Sequence, residues 1–208
     1  ECPTLLKNGY GEHNIQGIGD KHVPLIHNVM NTDFVVDISD KATDNLNLVF
    51  NTQIGKEYLI NSLGLESSLV NRFPEFGFSS IANILASIKL AKYMNLGKDD
   101  AILTVATDGA DLYLSELEKT KSNIQGTFDN TACKNIYNKY LKEIDTDNML
   151  ELSRNDKERI FNLGYYTWVE QQGISLNNFE RRKDQQFWNN HYNHMISLDD
   201  RVEEFNSL

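Results

Sequence analysis

The run Ala101-Ile102-Leu103-Thr104-Val105-Ala106 carries no charge and lies between Asp99-Asp100 and Thr107-Asp108-Gly109. Nearly continuous apolar sequence of this kind is what a parallel strand covered on both faces requires. Such a strand dictates its surroundings, because its faces need helices and its edges need further strands. Asp33-Phe34-Val35-Val36-Asp37-Ile38 reads as a second strand, β-branched and aromatic. It leads through Ser39, an N-cap candidate, into a helical stretch from about Lys41 to Leu63. Two or three strands cannot complete a doubly covered sheet, so the missing ones are expected upstream or in another chain.

The strongest helical pattern runs from Ser79 to Asn95. There Ile81, Ile84, Leu85, Ile88 and Ala91 recur at helical spacing, Lys89 and Lys92 fall on another face, and Gly97 closes the helix. A further helix is expected from about Asp111 to Lys121. Beyond Ser122 the composition turns to Asn, Lys, Glu and aromatics, with helical patterns around Ala132–Glu143, Asp156–Leu163 and Asp184–His194. Trp168 and Trp188 read as packing anchors there. The expected architecture is therefore α/β over residues 1–121, a parallel sheet with covering helices, followed by a helical extension over residues 122–208.

With 208 residues, 40% of them hydrophobic, the chain can bury a core for one domain or slightly more. Its longest apolar runs fall far short of the roughly 20 residues of a membrane span, and a cytoplasmic setting is expected. The net charge of −10, with 20 dispersed Lys and Arg residues, disfavours nucleic acid. Cys2 and Cys133 have no C-x-x-C spacing and build neither a zinc knuckle nor a disulfide framework. The opening at Glu1, without an initiator methionine, leads us to expect a fragment, a processed product or one part of a split protein.

Three segments have the composition of a binding site. In His13-Asn14-Ile15-Gln16-Gly17-Ile18-Gly19-Asp20-Lys21-His22-Val23-Pro24, Gly17 and Gly19 let the backbone approach a flat ligand closely. The third glycine of a dinucleotide fingerprint is absent. In Gly77-Phe78-Ser79-Ser80, two hydroxyls meet the positive end of a helix dipole, which suits an acceptor or an anion. Ser79 acting simply as the helix cap is the competing reading. Thr107-Asp108-Gly109 ends the apolar run, at the edge where open parallel sheets bind ligands, although a turn explains Asp and Gly equally well. His191 and His194 sit three apart on a possible helix but lack a third metal ligand. His13, His22 and His27 have no adjacent nucleophile pattern.

In order and context these segments resemble the fold-type-II pyridoxal-phosphate enzymes, the family of cysteine synthases and cystathionine β-synthases. His13–Pro24 resembles the family's His-Lys-Ile-Gln-Gly-Ile-Gly-x-x-Phe-Ile-Pro, and Gly77–Lys89 its Gly-Ile-Ser-Ser-Gly segment ending in Lys. Asp99–Ser115 resembles its last strand and the helix ending in Tyr-Leu-Ser. The match covers about residues 1–120. It implies pyridoxal 5'-phosphate as cofactor, with Ser79 on the pyridine nitrogen, Gly17 and Gly19 beside the ring, and Thr107 and Asp108 at the cofactor edge. It also implies a small amino-acid substrate, β-elimination or β-replacement, and a homodimer of the intact enzyme. Ile81 stands where the family has a small residue, and Lys21-His22 where it has a small residue and an aromatic, so a different substrate pocket is expected. The stretch Tyr166–Gly173 resembles an extension on one branch of these enzymes.

The family's imine-forming lysine, substrate-carboxylate loop and phosphate cup all lie upstream of the matched region. None of this chain's lysines stands in that context, and Lys21 reads as a solvated or gating side chain. No catalytic residue is therefore expected here, and an N-terminal segment or companion chain would supply the lysine and the cup. The alternative is a non-catalytic homologue that serves as a binding or regulatory module.

Overall fold

A computed structural model describes residues 2–9, 11–15, 17–124 and 126–207. Glu1 and Gln16, both named above, lie outside the described residues. The chain is 62% helical, with two short antiparallel strands, and so the expected parallel sheet with covering helices is not its fold. Those strands, β1 (Phe34–Val36) and β2 (Met149–Glu151), pair in a two-stranded sheet. The strand expected at Asp33–Ile38 thus exists in shortened form, whereas the one expected at Ala101–Ala106 does not. That run forms no regular element and enters no sheet, leaving Leu103 97% and Val105 66% exposed. The physical reason is that a strand needs a ladder partner, and the described chain provides none alongside it.

The chain divides into two compact units, Glu1–Asp20 with Val36–Met149, and Lys21–Val35 with Leu150–Leu208. This division differs from the cut expected at residues 121/122. Residues 21–35 belong with the second unit, and residues 122–149 with the first.

The first unit contains α1 (Thr4–Lys7), α2 (Asp40–Asn51), α3 (Gln53–Glu57), α4 (Ser67–Val70), α5 (Phe78–Met94), α6 (Leu114–Ser122) and α7 (Asn130–Tyr137). Its core gathers Leu46, Val49, Leu59, Ile81, Leu85 and Cys133. Ser39 caps α2 as expected, accepting the Ala42 N–H. The long helix expected over Lys41–Leu63 breaks at Thr52, whose backbone is extended and whose hydroxyl accepts the Gly55 N–H. A Cβ on Gly55 would lie 2.1 Å from the Val49 carbonyl oxygen, so the close return of α3 onto α2 needs a glycine. Asn95, in the left-handed region at φ 53°, ends α5 two residues before the expected Gly97.

Helix α5 presents a different face from the one its spacing predicted. Ile81 and Leu85 are buried, but so is Lys89. Its ammonium donates to the Asp147 carbonyl, and Lys92 Nζ donates to the Ile144 carbonyl at 2.7 Å. Two cations one turn apart thus hold the loop that follows the Asn138–Lys142 π-turn through its main-chain carbonyls. Ile84, Ile88 and Ala91 are only partly covered. With Ile102 and Thr104 they line an apolar groove of about 370 Å³.

The second unit contains α8 (Arg154–Leu163), α9 (Leu176–Glu180) and α10 (Gln185–Asn206). Ser153 and Asp156 close a capping box on α8. Phe161 and Phe179 pack at 4.7 Å under the buried Arg182, whose guanidinium lies 4.8 and 4.4 Å from their rings and donates to the Leu25 carbonyl at 2.7 Å. Both tryptophans anchor backbone as expected, Trp168 Nε1 donating to the Val23 carbonyl and Trp188 Nε1 to the Arg182 carbonyl, each at 2.8 Å.

Gly55→Ala is expected to destabilise the chain by about 3 kcal/mol, because backbone and not a movable side chain occupies the Cβ position. Gly64→Asn, at φ +72° in open space, should change stability by less than about 1 kcal/mol. Chemical denaturation that gave both variants the same loss would contradict this account of the α2–α3 turn.

Candidate functional site

Three separate stretches of the first unit meet at the first turn of α5. Gly77 is the N-cap and makes no side-chain cap, which leaves Ser79 and Ser80 at the second and third helical positions. Ser79 is therefore not the helix cap, contrary to the competing reading of its sequence context. Its Oγ accepts the Gly17 N–H at 3.1 Å, tying the glycine-rich loop to the helix. A Cβ on Gly17 would stand 2.5 Å from that oxygen, so only glycine allows this approach.

Ser80 performs the same task for the other loop. Its Oγ accepts the Thr107 N–H at 2.9 Å and lies 3.2 Å from Thr107 Oγ1, which donates to Asp108 Oδ1 at 3.0 Å. The Gly77 N–H donates to the Asp108 carbonyl at 2.9 Å. The Tyr113 hydroxyl donates to Asp108 Oδ2 and holds that carboxyl below its usual range, while burial, aided by this bond, pushes the phenol up to about 12. Asp108 is thus an ionised acceptor, fixed from three sides.

Of the residues singled out in the sequence, Gly17, Ser79, Thr107 and Asp108 gather around the start of α5. Gly19 stands apart, in the left-handed region at φ +82°, where a Cβ would face the His13 imidazole at 3.2 Å and Cys2 at 3.5 Å. Ser79 and Ser80 are each only 1% exposed. The hydroxyls therefore face backbone donors and not open water. Ser80 and Tyr113 stood in the segments named above, but the sequence assigned neither of them a partner. The paired serines hinted at the first, but only the fold reveals the second.

The glycine-rich loop also borders a polar depression of about 630 Å³ lined by Gly11, Glu12, His13, Asn14 and Asp40. Asn14 donates its N–H to Asp40 at 2.9 Å and its side-chain amide to Asp44 at 3.2 Å. Burial, opposed by the Asn14 bond and reinforced by the charges of Asp40 and Glu116, pushes the Asp44 carboxyl up to about 6. Among the described residues no group of three or more His, Cys, Asp or Glu side chains is placed to hold a metal ion. His191 packs edge-on against Phe187, and His194 Nδ1 lies 3.5 Å from Ser197 Oγ. No helix among the described residues is long and apolar enough to cross a membrane.

No family model, curated protein or solved structure matches this chain.

Gly17→Ala is expected to cost about 2 kcal/mol through the clash with Ser79 Oγ, and Ser79→Gly in the same chain should recover part of that loss. Additive losses in the double-mutant cycle would mean that the two residues do not meet. Asp44 gives a separate test. Its folded pKa lies above the unfolded value, so the stability it contributes is full below about pH 4 and is lost as the pH rises through about 6. Asp44→Asn should therefore raise the thermal midpoint at pH 7.5 and leave it nearly unchanged at pH 4. A difference independent of pH would exclude this origin.

Proposed function

We propose that the chain is the C-terminal portion of a pyridoxal-phosphate-dependent lyase or synthase. The reaction would be β-elimination or β-replacement on a small amino acid such as serine, cysteine or an O-activated serine. The observation that carries this reading is the Gly17–Ser79 contact. The segments that resemble the family's motifs lie far apart in sequence, yet they meet at one helix start. Ser79 Oγ accepts the Gly17 N–H, and its own proton has no acceptor among the described residues, so it can donate to a pyridine nitrogen. A Cβ on Gly17 would meet Ser79 Oγ at 2.5 Å, so the glycine is what lets the loop and the helix touch at the position where the resemblance places the ring.

When bound, pyridoxal phosphate supplies the electron sink for bonds at the substrate's α-carbon. The chain's part is to position and tune. A neutral hydroxyl at the ring nitrogen, in place of a carboxylate, does not hold that nitrogen protonated, and this favours expulsion of a β-substituent over transamination. Ser80 and Tyr113 hold Thr107 and Asp108 at the same helix start. The imine-forming lysine and the phosphate cup would come from an N-terminal segment or companion chain, and without them the chain is not a catalyst. The exposed apolar run at 101–106 supports such a companion, since only Asn83, donating to the Val105 carbonyl at 2.9 Å, bonds its main chain among the described residues. A cytoplasmic setting and a homodimer of the intact enzyme belong to the same reading.

The burial of Ser79 favours a second reading, in which the chain is a non-catalytic homologue and the hydroxyl is a latch between loop and helix. The two readings separate in the intact protein. Joined to its lysine-bearing segment, it is expected to show the visible band of lysine-bound cofactor, removed by borohydride. Ser79→Ala should shift that band and lower turnover about 10-fold, as loss of one hydrogen bond to the ring allows, with a thermal midpoint lowered by less than about 5 °C. Absence of the band, or equal loss of turnover and stability in Ser79→Ala, would establish the latch.

A further inference from the structure

Among the described residues, three asparagines lie in the left-handed region: Asn8 at φ 57°, Asn95 at 53° and Asn148 at 56°. Asn95 is followed by Leu96, whose N–H donates to the Ala91 carbonyl at 2.9 Å, and Asn148 by Met149, the first residue of β2. Asn8 is followed by Gly9, and no other asparagine in the sequence precedes a glycine. It is exposed at the end of the four-residue helix α1, where its N–H donates to the Thr4 carbonyl at 3.0 Å. The Gly9 N–H donates to no acceptor among the described residues, and beyond its chain neighbours nothing lies within 4 Å of where a Cβ would stand.

A main-chain nitrogen can attack the side-chain amide of the residue before it when three conditions meet. The nitrogen must be without a hydrogen bond, no side chain may crowd it, and the backbone must be able to rotate until the two groups touch. Gly9 meets the first two. At ψ 23° the Gly9 nitrogen is turned away from the Asn8 side chain, so the turn has to open first. What resists the opening is the cap bond of a helix too short to persist by itself, and a glycine at the next position leaves the rotation unhindered.

We propose that Asn8-Gly9 is a site of spontaneous covalent modification, at which the asparagine is converted to aspartate and its β-linked isomer. The Gly9 nitrogen bonds to Asn8 Cγ, the Cγ–Nδ2 bond breaks, and ammonia leaves with the Gly9 amide proton. Water then opens the resulting five-membered imide at either of its carbonyl carbons. The sum is one amide hydrolysed, with water as the only co-reactant and no change of oxidation state. The β-linked product lengthens the main chain by one methylene and adds a negative charge where α1 ends. Thr4 Oγ1 of α1 donates to the Asp20 carbonyl at 2.6 Å, so the modified residue falls within the stretch that this bond closes, which carries the glycine-rich loop. The modification does not depend on the cofactor reading.

Incubation of the 208-residue chain at neutral pH, followed by peptide mass mapping, is expected to show Asn8 converted before any other asparagine. Asn61 and Asn206, each of which precedes a serine, are the internal comparison. Gly9→Ala, whose Cβ enters open space, should slow conversion at least about 10-fold, a barrier about 1.4 kcal/mol higher. Its thermal midpoint should stay within about 2 °C of the parent chain. Because only the end of α1 has to open, conversion in the folded chain should run within about 30-fold of the rate in concentrated urea. The proposal is overturned if another asparagine converts while position 8 stays intact, or if Gly9→Ala converts as fast as the parent. Folded-state conversion slower than that 30-fold limit would overturn it too, since the turn would then protect the site.

Discussion

Two buried hydroxyls at the start of α5 hold the first unit's loops in place. A hydroxyl taken out of water without a partner costs several kcal/mol, so Ser79 and Ser80 must each find one. Ser79 takes the N–H of Gly17, and Ser80 the N–H of Thr107. Gly77, just before them, adds a bond to the Asp108 carbonyl and has no room for a Cβ, which would meet that oxygen at 2.8 Å and the Tyr113 ring at 2.9 Å. Stretches about sixty and thirty residues away along the chain are thereby fixed to one helical turn. Any chemistry assigned to the glycine-rich loop or to Asp108 depends on those bonds.

The opposite condition holds along 101–106 and along α10. Both are apolar in pattern, and both leave much of that pattern uncovered. In the first, exposed side chains accompany a main chain to which, among the described residues, only Asn83 bonds. In the second, the main chain is bonded within the helix and the side chains are bare. The difference lies in which groups remain unsatisfied.

Much of the helical content was legible, because periodicity and capping act locally. Ser39 caps α2, and the patterns around residues 132, 156 and 184 all became helices, although the Ser153–Asp156 box that opens α8 was not read from the sequence. The failures share one cause. Ala101–Ala106 has strand composition but no ladder partner. The Lys41–Leu63 stretch breaks where Thr52 and Gly55 allow a tight return, and Lys89 is buried because a loop carbonyl nearly sixty residues away receives its ammonium. In each case a contact remote in sequence, or the lack of one, overrode a local preference.

By itself the sequence determined which residues could serve a site: glycines without a Cβ at 17 and 77, hydroxyls at 79 and 80, and a carboxylate at 108. It also determined the helical periods and the absence of a long apolar span. Only the tertiary structure decided that Gly17 meets Ser79 while Gly19 does not, that Ser80 and not Ser79 holds Thr107, and that the unit boundaries interleave along the chain. Residue chemistry and short-range periodicity are properties of neighbours in sequence. Distances between segments are set by packing and by the requirement that every buried polar group find a partner, and these depend on the whole chain at once.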